Sequence, residues 1–494
     1  MKPSSRFVRV GASLLLAVFA LSFIPAVSGK EKETREDKKA RKTAEKALKK
    51  VQKKLKKALV AFSRAKDDET RSSIRDKLCE FLGEVIRIDH PVAADVLLDF
   101  TVGTDDDELY EFCSSGISAM ASSKIPPHLL ARMKEVKNKK LRVTWEQKVV
   151  ILDVFREMSG VATYEATVLG LKDANPAIMK AALNIAGLKQ DRTVIEALVG
   201  LLGRLEKGGG VSYFTARQAL VDLTGEDYFT HAKWQGWWEA NKGKFDFTQR
   251  GEATSAKTVE RKEEEIPRFF GTEVQSNQCL FIIDVSGSMK MTDPPSEYAK
   301  PLTEYEMGQP DPKRQRIERA KAALAKVVAT LQPTQRFNIL RYSSAVTSWQ
   351  GKDALVPATE SYKNDGAGWI DAVREGGGTE SYKVLQRAFG YPEVDTVYFL
   401  SDGAPSPARR GKPGDQQQQY EKDEIAKILS WVKRTNRFRR VKIYTFGFDG
   451  PGAWHKKWGK RSDWLPRDPK YVSHFRDFMS RLATVTGGEY RSLQ

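Results

Sequence analysis

Three oxygen-bearing side chains follow one apolar segment of the chain at alternate positions. Asp284, Ser286 and Ser288 come directly after residues 279–283, which read as a buried strand. Successive side chains of an extended turn point to opposite sides, so an alternating trio can face one point. Gly287, between the two serines, lets the backbone approach closely. This spacing predicts a cluster of oxygen ligands at the end of that strand.

A further hydroxyl and a further carboxylate follow similar signals later in the chain. Thr379 comes after three consecutive glycines at the start of a helix, and Asp402 follows the apolar segment 394–400. Oxygen-only ligands select a hard cation, and six oxygens favour Mg2+ or Mn2+. Two carboxylates would neutralise the ion, and an open position would accept a carboxylate from another molecule.

The surrounding segment, 267–494, contains strands and helices in alternation. Alternation of this kind predicts a doubly wound α/β fold with a mainly parallel sheet, in which ligands bind beyond the carboxyl ends of the strands. Strands are predicted at 279–283, 337–342, 394–400 and 441–446, and helices at 317–331, 425–432 and 475–485.

These residues resemble the metal-ion-dependent adhesion site of von Willebrand factor A domains. The family pattern is Asp-x-Ser-x-Ser, then a Thr, then an Asp, and all five positions match in order: Asp284, Ser286, Ser288, Thr379 and Asp402. The resemblance covers roughly 275–494 and implies a Rossmann-like fold. It also implies that both serines and one acidic residue bind the metal directly, the others through water, and that a protein partner supplies an Asp or Glu side chain.

An insertion at 290–316 separates the first predicted strand from the first helix of this segment. It is rich in proline and is expected to lie beside the metal. Two interpretations remain open: the insertion selects the partner, or it is passive.

Enzymatic alternatives lack the residues that they need. A phosphotransferase of the haloacid dehalogenase type requires a second aspartate two positions after Asp284, where Ser286 stands. A metal-dependent hydrolase of the His-Glu-x-x-His type is excluded by histidine spacing. The sequence therefore predicts binding without catalysis.

The formal net charge of +18 is concentrated near the N-terminus. Residues 30–66 contain 16 Lys and Arg against 5 Asp and Glu, which leaves the remainder nearly balanced. An apolar stripe at helical spacing predicts a basic amphipathic helical arm: Ala44, Leu48, Val51, Leu55, Ala58 and Phe62. The arm either packs on the next domain with a solvated basic face or contacts an anionic surface. Nucleic acid is not expected, because the arm lacks interleaved aromatic residues.

Residues 67–247 are predicted to be entirely helical. Over about 170–225 a proline opens one helix and an Asp-Arg turn opens the next, a pattern that resembles HEAT-type repeats. Trp234, Trp237 and Trp238 share a helix face and are expected to close the array, an aromatic ligand platform being the alternative. A scaffold that binds through this helical solenoid, with the metal site secondary, remains the second hypothesis for the whole protein.

The first 29 residues have the basic start, short apolar core and small residues of a signal peptide. An exported protein of the periplasm, cell envelope or extracellular space is therefore expected. Residues 248–266 are predicted to be a polar linker between the two domains. Cys79 and Cys113 are either buried thiols or a disulfide that export would permit.

Overall fold

The computed structural model describes residues 34–65, 67–134, 143–206, 209–249, 266–293, 314–405, 415–450 and 469–493. The predicted signal peptide and nearly all of the predicted linker lie outside these residues. The chain divides into two compact units. One unit contains the described residues up to Glu206 and those from Thr215 to 249, and the other contains 209–214 and those from 266 onwards.

The first unit is helical in its described residues. Its packing largely follows chain order, since most of the contacting helices lie one or two positions apart along the chain. Asp191 shows how the predicted turns work, since its side chain accepts a hydrogen bond from the Thr193 amide at 2.8 Å and caps the helix that follows. The helices are α1 (Arg35–Arg64), α2 (Asp68–Ile86), α3 (Pro91–Gly103), α4 (Asp107–Ser118), α5 (Ile125–Lys134), α6 (Trp145–Arg156), α7 (Val161–Lys172), α8 (Pro176–Ala186), α9 (Arg192–Leu205), α10 (Gly210–Thr224, of which the residues from Thr215 belong to this unit) and α11 (His231–Asn241).

Helix α1 packs on α2 and α3 through an apolar stripe. The predicted stripe is correct except at one position. Leu59 is buried with the stripe, whereas Ala58 is only partly buried. Leu59 lies four residues after Leu55 and three before Phe62, which places the larger side chain on the same face.

The tryptophans of α11 pack within the helical unit. Trp234 is fully buried and its indole N–H donates to the Tyr228 carbonyl at 2.7 Å. Trp238 is buried, while Trp237 is partly buried and lies against the rings of Trp234 and Phe245. This arrangement is that of core packing, as the spacing of the three residues favours.

The second unit contains a mainly parallel sheet. The strands are β1 (Arg268–Phe269), β2 (Thr272–Glu273), β3 (Gln278–Asp284), β4 (Arg336–Tyr342), β5 (Val346–Ser348), β6 (Val356–Pro357), β7 (Thr396–Ser401), β8 (Lys442–Gly447) and β9 (Tyr490–Ser492). The strand order of the sheet is β5-β4-β3-β7-β8-β9, with β6 paired to β4. Within it, β4, β3, β7, β8 and β9 run parallel, and β5 and β6 are antiparallel to β4. The helices are α12 (Arg316–Thr330), α13 (Glu360–Asp371), α14 (Ser381–Ala388), α15 (Asp415–Asn436) and α16 (Pro469–Thr484).

The central strand β3 is buried on both faces. Phe281 and Ile283 pack against α12 and α13 on one side, and Leu280 and Ile282 pack against α14, α15 and α16 on the other. Strands covered on both faces read as continuous apolar runs, which is why 279–283 has no polar residue. The prediction of a mainly parallel sheet with helices on both faces is confirmed.

The three cysteines are thiols, with Cys113 and Cys279 buried and Cys79 partly buried. Among the described residues, none of the helices is both long and apolar enough to cross a bilayer.

Candidate metal centre

Asp284 is the last residue of β3 and lies at the carboxyl edge of the sheet. The Val285 amide donates to the Tyr342 carbonyl at 2.8 Å, which extends the pairing with β4 by one residue. The Asp284 carboxylate accepts from the Ser286 amide at 2.7 Å and from the Ser401 hydroxyl at 2.8 Å. Both carboxylate oxygens are therefore fixed in direction before any ligand arrives.

Asp402 stands on the adjacent strand, one residue beyond β7. Since β3 and β7 are parallel neighbours in register, their carboxyl ends meet at the same edge. The Ser288 hydroxyl lies 2.6 Å and the Ser286 hydroxyl 3.4 Å from the same Asp402 oxygen, Oδ1, and the two hydroxyls lie 3.1 Å apart. The structure thus brings these three side chains together beside Asp284.

Thr379 is placed by a glycine loop that is fastened to the first site loop. The Gly376 amide donates to the Val285 carbonyl at 2.7 Å, and the Gly287 amide donates to the Gly377 carbonyl at 3.0 Å. Gly377 has φ 89°, and a Cβ there would lie 2.9 Å from a neighbouring hydroxyl. Thr379 is buried next to this junction, but within the described chain no hydrogen bond joins its side chain to the other four residues.

The carboxylates of Asp284 and Asp402 are completely buried. Burial and the nearby charge of Asp402 raise the pKa of Asp284 to about 7. Ser288, by contrast, is only partly buried and opens the cluster towards solvent. The centre therefore holds buried negative charge behind an accessible hydroxyl.

Arg316 is a member of this centre that the sequence analysis missed. This fully buried guanidinium donates to Asp402 Oδ2 at 3.0 Å, to Asp293 Oδ1 at 2.7 Å and to the Gly450 carbonyl at 3.0 Å. It holds the Asp402 oxygen that the serine hydroxyls do not contact. The position of Arg316 in the sequence could have pointed to this role, because it begins the helix α12. Helices that follow strands in parallel sheets begin at the carboxyl edge, where the centre lies.

Asp293 closes the base of the predicted insertion. Its amide donates to the Arg314 carbonyl at 3.0 Å, the Arg316 amide donates to the Met291 carbonyl at 3.0 Å, and Arg319 forms an ion pair with its carboxylate. The two ends of the insertion thus meet beside the centre. Residues 294–313 lie outside the described residues.

The residues present fit a divalent cation better than they fit a closed hydrogen-bond network. Where the structure describes the chain, no three His, Cys, Asp or Glu side chains converge, so an ion here depends on hydroxyls together with the two carboxylates. The buried hydroxyl of Tyr342 lies near those of Ser401 and Ser381, and burial together with the charge of Asp284 raises the pKa of Tyr342 well above its usual range. Tyr342 is the register partner of Asp284 in the sheet. Hydroxyls grouped around two buried carboxylates, one of them without a cationic contact among the described residues, are the oxygen ligands that a hard cation selects.

Sequence comparisons identify relatives of part of the chain. No family model matches it. The chain is 22% identical over 225 residues to von Willebrand factor A domain-containing protein 3A of Homo sapiens, covering 45% of this chain and 14% of that protein. It is 25% identical over 143 residues to inter-alpha-trypsin inhibitor heavy chain 4 of Mus musculus, covering 26% of this chain and 12% of that protein. The chain thus spans a small part of these relatives.

Among solved structures, a von Willebrand factor type A protein from Catenulispora acidiphila is similar over 45% of this chain and 40% of its own, with 15% identity and a TM-score of 0.28. The similarity in sequence to a protein that is named for the von Willebrand factor A domain supports a domain of this type in the chain.

Proposed function

We propose that this protein binds a partner protein through a divalent cation, Mg2+ or Mn2+, held at the carboxyl edge of the sheet. Asp284, Ser286, Ser288 and Asp402 would hold the ion, with Thr379 in support from the glycine loop. The observation that carries the proposal is the meeting of two fully buried carboxylates with two serine hydroxyls at a point that is open to solvent through Ser288. The bound ion would supply a Lewis-acidic positive charge.

The charges around the centre favour an anionic partner group. Among the described residues, Arg316 contacts Asp402 and Asp293, Arg319 contacts Asp293, and neither arginine contacts Asp284, so three carboxylates lie close to two guanidinium groups. With all three ionised, one negative charge remains, and a divalent cation converts it to one positive charge. A single Asp or Glu side chain from a partner neutralises that excess in a partly desolvated site.

Binding without catalysis is the better account of these residues. Ser286 occupies the position at which a phosphotransferase of the aspartate type needs its acid-base carboxylate. Asp402 is engaged by Arg316 and by two serine hydroxyls, which leaves it poorly placed to transfer a proton. The N-terminal sequence has the basic start and short apolar core of a signal peptide. We therefore propose that the protein is exported and acts at or outside the cell envelope.

The experiment selects random peptides on the immobilised full chain in about 5 mM Mg2+, a concentration in the range of weak divalent-cation sites. The bound peptides are eluted with EDTA. A parallel selection on Asp284→Ala is the matched control. The proposal expects Asp and Glu to be enriched in peptides from the wild-type chain and not in those from the variant. Equal enrichment on both, or none on either, contradicts it.

A groove in the helical unit favours a second candidate function, a scaffold that binds a peptide segment. The groove has a volume of about 740 Å³ and is lined by residues of α5, α7, α9 and α11. Gly200 lies in its lining, and a Cβ there would meet nothing within 4 Å. Trp238 also lines it, and its buried indole N–H has no acceptor within the described chain.

This second candidate is tested with two glycine substitutions. Gly200→Leu adds a side chain to the groove lining at a position where a Cβ meets nothing within 4 Å, and Gly236→Leu, equally open at its Cβ but outside the groove lining, is the matched control. Both replace a helical glycine and are expected to leave the fold intact. If the wild-type chain still captures its partner in EDTA, and Gly200→Leu alone loses that capture, the helical groove carries the function.

A further inference from the structure

We propose that helix α1 binds the surface of an anionic lipid bilayer through a lysine ridge, defined as Lys42, Lys46, Lys49, Lys53 and Lys57. All five side chains are exposed, and they recur at steps of four, three, four and four residues. At about 1.5 Å per residue the ridge extends for roughly 22 Å along one face of the helix. It is independent of the metal centre.

The ridge lies on the face of α1 opposite its apolar stripe. The stripe includes Leu48, Val51, Leu55 and Phe62, which are buried where α1 packs on α2 and α3. The helix therefore has no apolar face left to insert between lipid chains. Contact with a bilayer is limited to electrostatic attraction at the level of the headgroups.

The ridge concentrates like charge on the exposed face of α1. Like charges three and four residues apart destabilise a helix, and neighbouring Glu residues would relieve the repulsion. Helix α1 instead has 13 basic residues and three acidic ones. Of these three, Asp37 pairs with Lys124, and Glu45 lies 3.8 Å from Arg41 within the same helix. The excess of basic over acidic residues along this one helix complements an anionic surface.

The shape and residue types of the ridge favour a lipid surface over nucleic acid. The ridge is a row of exposed charges along one face of a single helix, an arrangement suited to a flat surface, whereas single strands are bound in grooves lined with aromatic residues. Phe62 is the one aromatic residue of α1 and is buried. All ridge residues are lysines, which present point charges without the planar fork by which arginine grips individual phosphates.

The test is co-sedimentation of the full chain with vesicles of phosphatidylcholine alone or with phosphatidylserine as roughly 30% of the lipid, which makes the surface anionic. The test variant has Gln at all five ridge positions. The control variant has Gln at five exposed lysines of the α/β unit, Lys326, Lys352, Lys383, Lys422 and Lys433. Circular dichroism checks that α1 remains helical, which removal of the repulsion favours.

We expect wild type and control to bind the anionic vesicles at least a hundredfold more tightly than the ridge variant, and to release them as salt rises from about 0.05 to 0.5 M. Binding that is equal on neutral vesicles, or equal for the ridge variant, overturns the proposal. Binding of duplex DNA in preference to anionic vesicles also overturns it and assigns the ridge to a polymer. EDTA is expected to change none of these results.

Discussion

Each unit of this protein contains a buried cluster of acidic and basic side chains, and the two clusters differ in balance. In the helical unit, Asp95 accepts from Arg132 Nε at 2.9 Å and lies 2.9 Å from His128 Nε2. In the α/β unit, Arg316 stands between Asp402 and Asp293 while Asp284 has no cationic partner among the described residues.

This difference separates a structural cluster from a binding centre. Asp95 contacts two basic side chains of α5 that are buried with it, and the neighbouring Asp99 is only partly buried and accepts from Gln147. The sheet-edge centre instead retains a completely buried carboxylate, Asp284, that no described cation contacts, beside the only partly buried Ser288. Buried charge alone therefore does not mark a function. Buried charge that the protein leaves uncompensated does mark a function, because a ligand must balance that charge.

The largest effect is expected when the arginine of the sheet-edge centre is removed. Arg316→Met leaves Asp402 and Asp293 buried without this partner and should lower the free energy of unfolding by about 3–5 kcal/mol. Urea denaturation measures the loss. The double variant Arg316→Met with Asp402→Asn should recover part of it, and a loss below about 1 kcal/mol would show that Arg316 does not balance these carboxylates.

The same substitution in the helical cluster should cost less. Arg132→Met removes one partner of Asp95 while His128 remains, so a loss of about 2 kcal/mol is expected. Addition of Mg2+ sharpens the comparison. It should leave the difference in free energy of unfolding between Arg132→Met and wild type unchanged. A Mg2+-dependent difference between these two proteins would mean that the helical cluster also responds to metal.

Patterns of residue type predicted the four central strands of the sheet and four of the residues that meet at its edge, but not the short strands β1, β2, β5, β6 and β9. The apolar runs gave β3 and β7, and parallel register brings Asp284 and Asp402 to one edge. Arg316 was missed because a charged residue at the start of an amphipathic helix is normally exposed. Ser401 was missed because a hydroxyl inside an apolar strand shows no spacing signal. Both depend on which chain segments become neighbours, and this is decided by tertiary packing.

The smallest effect concerns Asp99, next to Asp95. Burial, with the charge of Asp95, raises the pKa of Asp99 to about 6. The folded state thus binds this proton more tightly than the unfolded state, and the stability that protonation lends is present below about pH 4 and lost as pH rises through 6. Asp99→Asn, which can still accept from Gln147, should therefore gain about 1 kcal/mol at pH 8 and nothing at pH 4. Urea denaturation at the two pH values checks this, and an equal gain at both would exclude the ionised carboxylate as its cause.

The central claim, that the sheet-edge centre binds a divalent cation, is tested most directly by thermal unfolding after EDTA treatment with Mg2+ or Mn2+ added back. Wild type, Asp284→Ala and the helical-unit control Asp99→Asn are compared. At tenfold excess over Kd, wild type and control should gain about 1.4 kcal/mol, and Asp284→Ala should gain nothing. Absence of a gain in wild type up to about 10 mM metal, or the same gain in Asp284→Ala, would contradict the account.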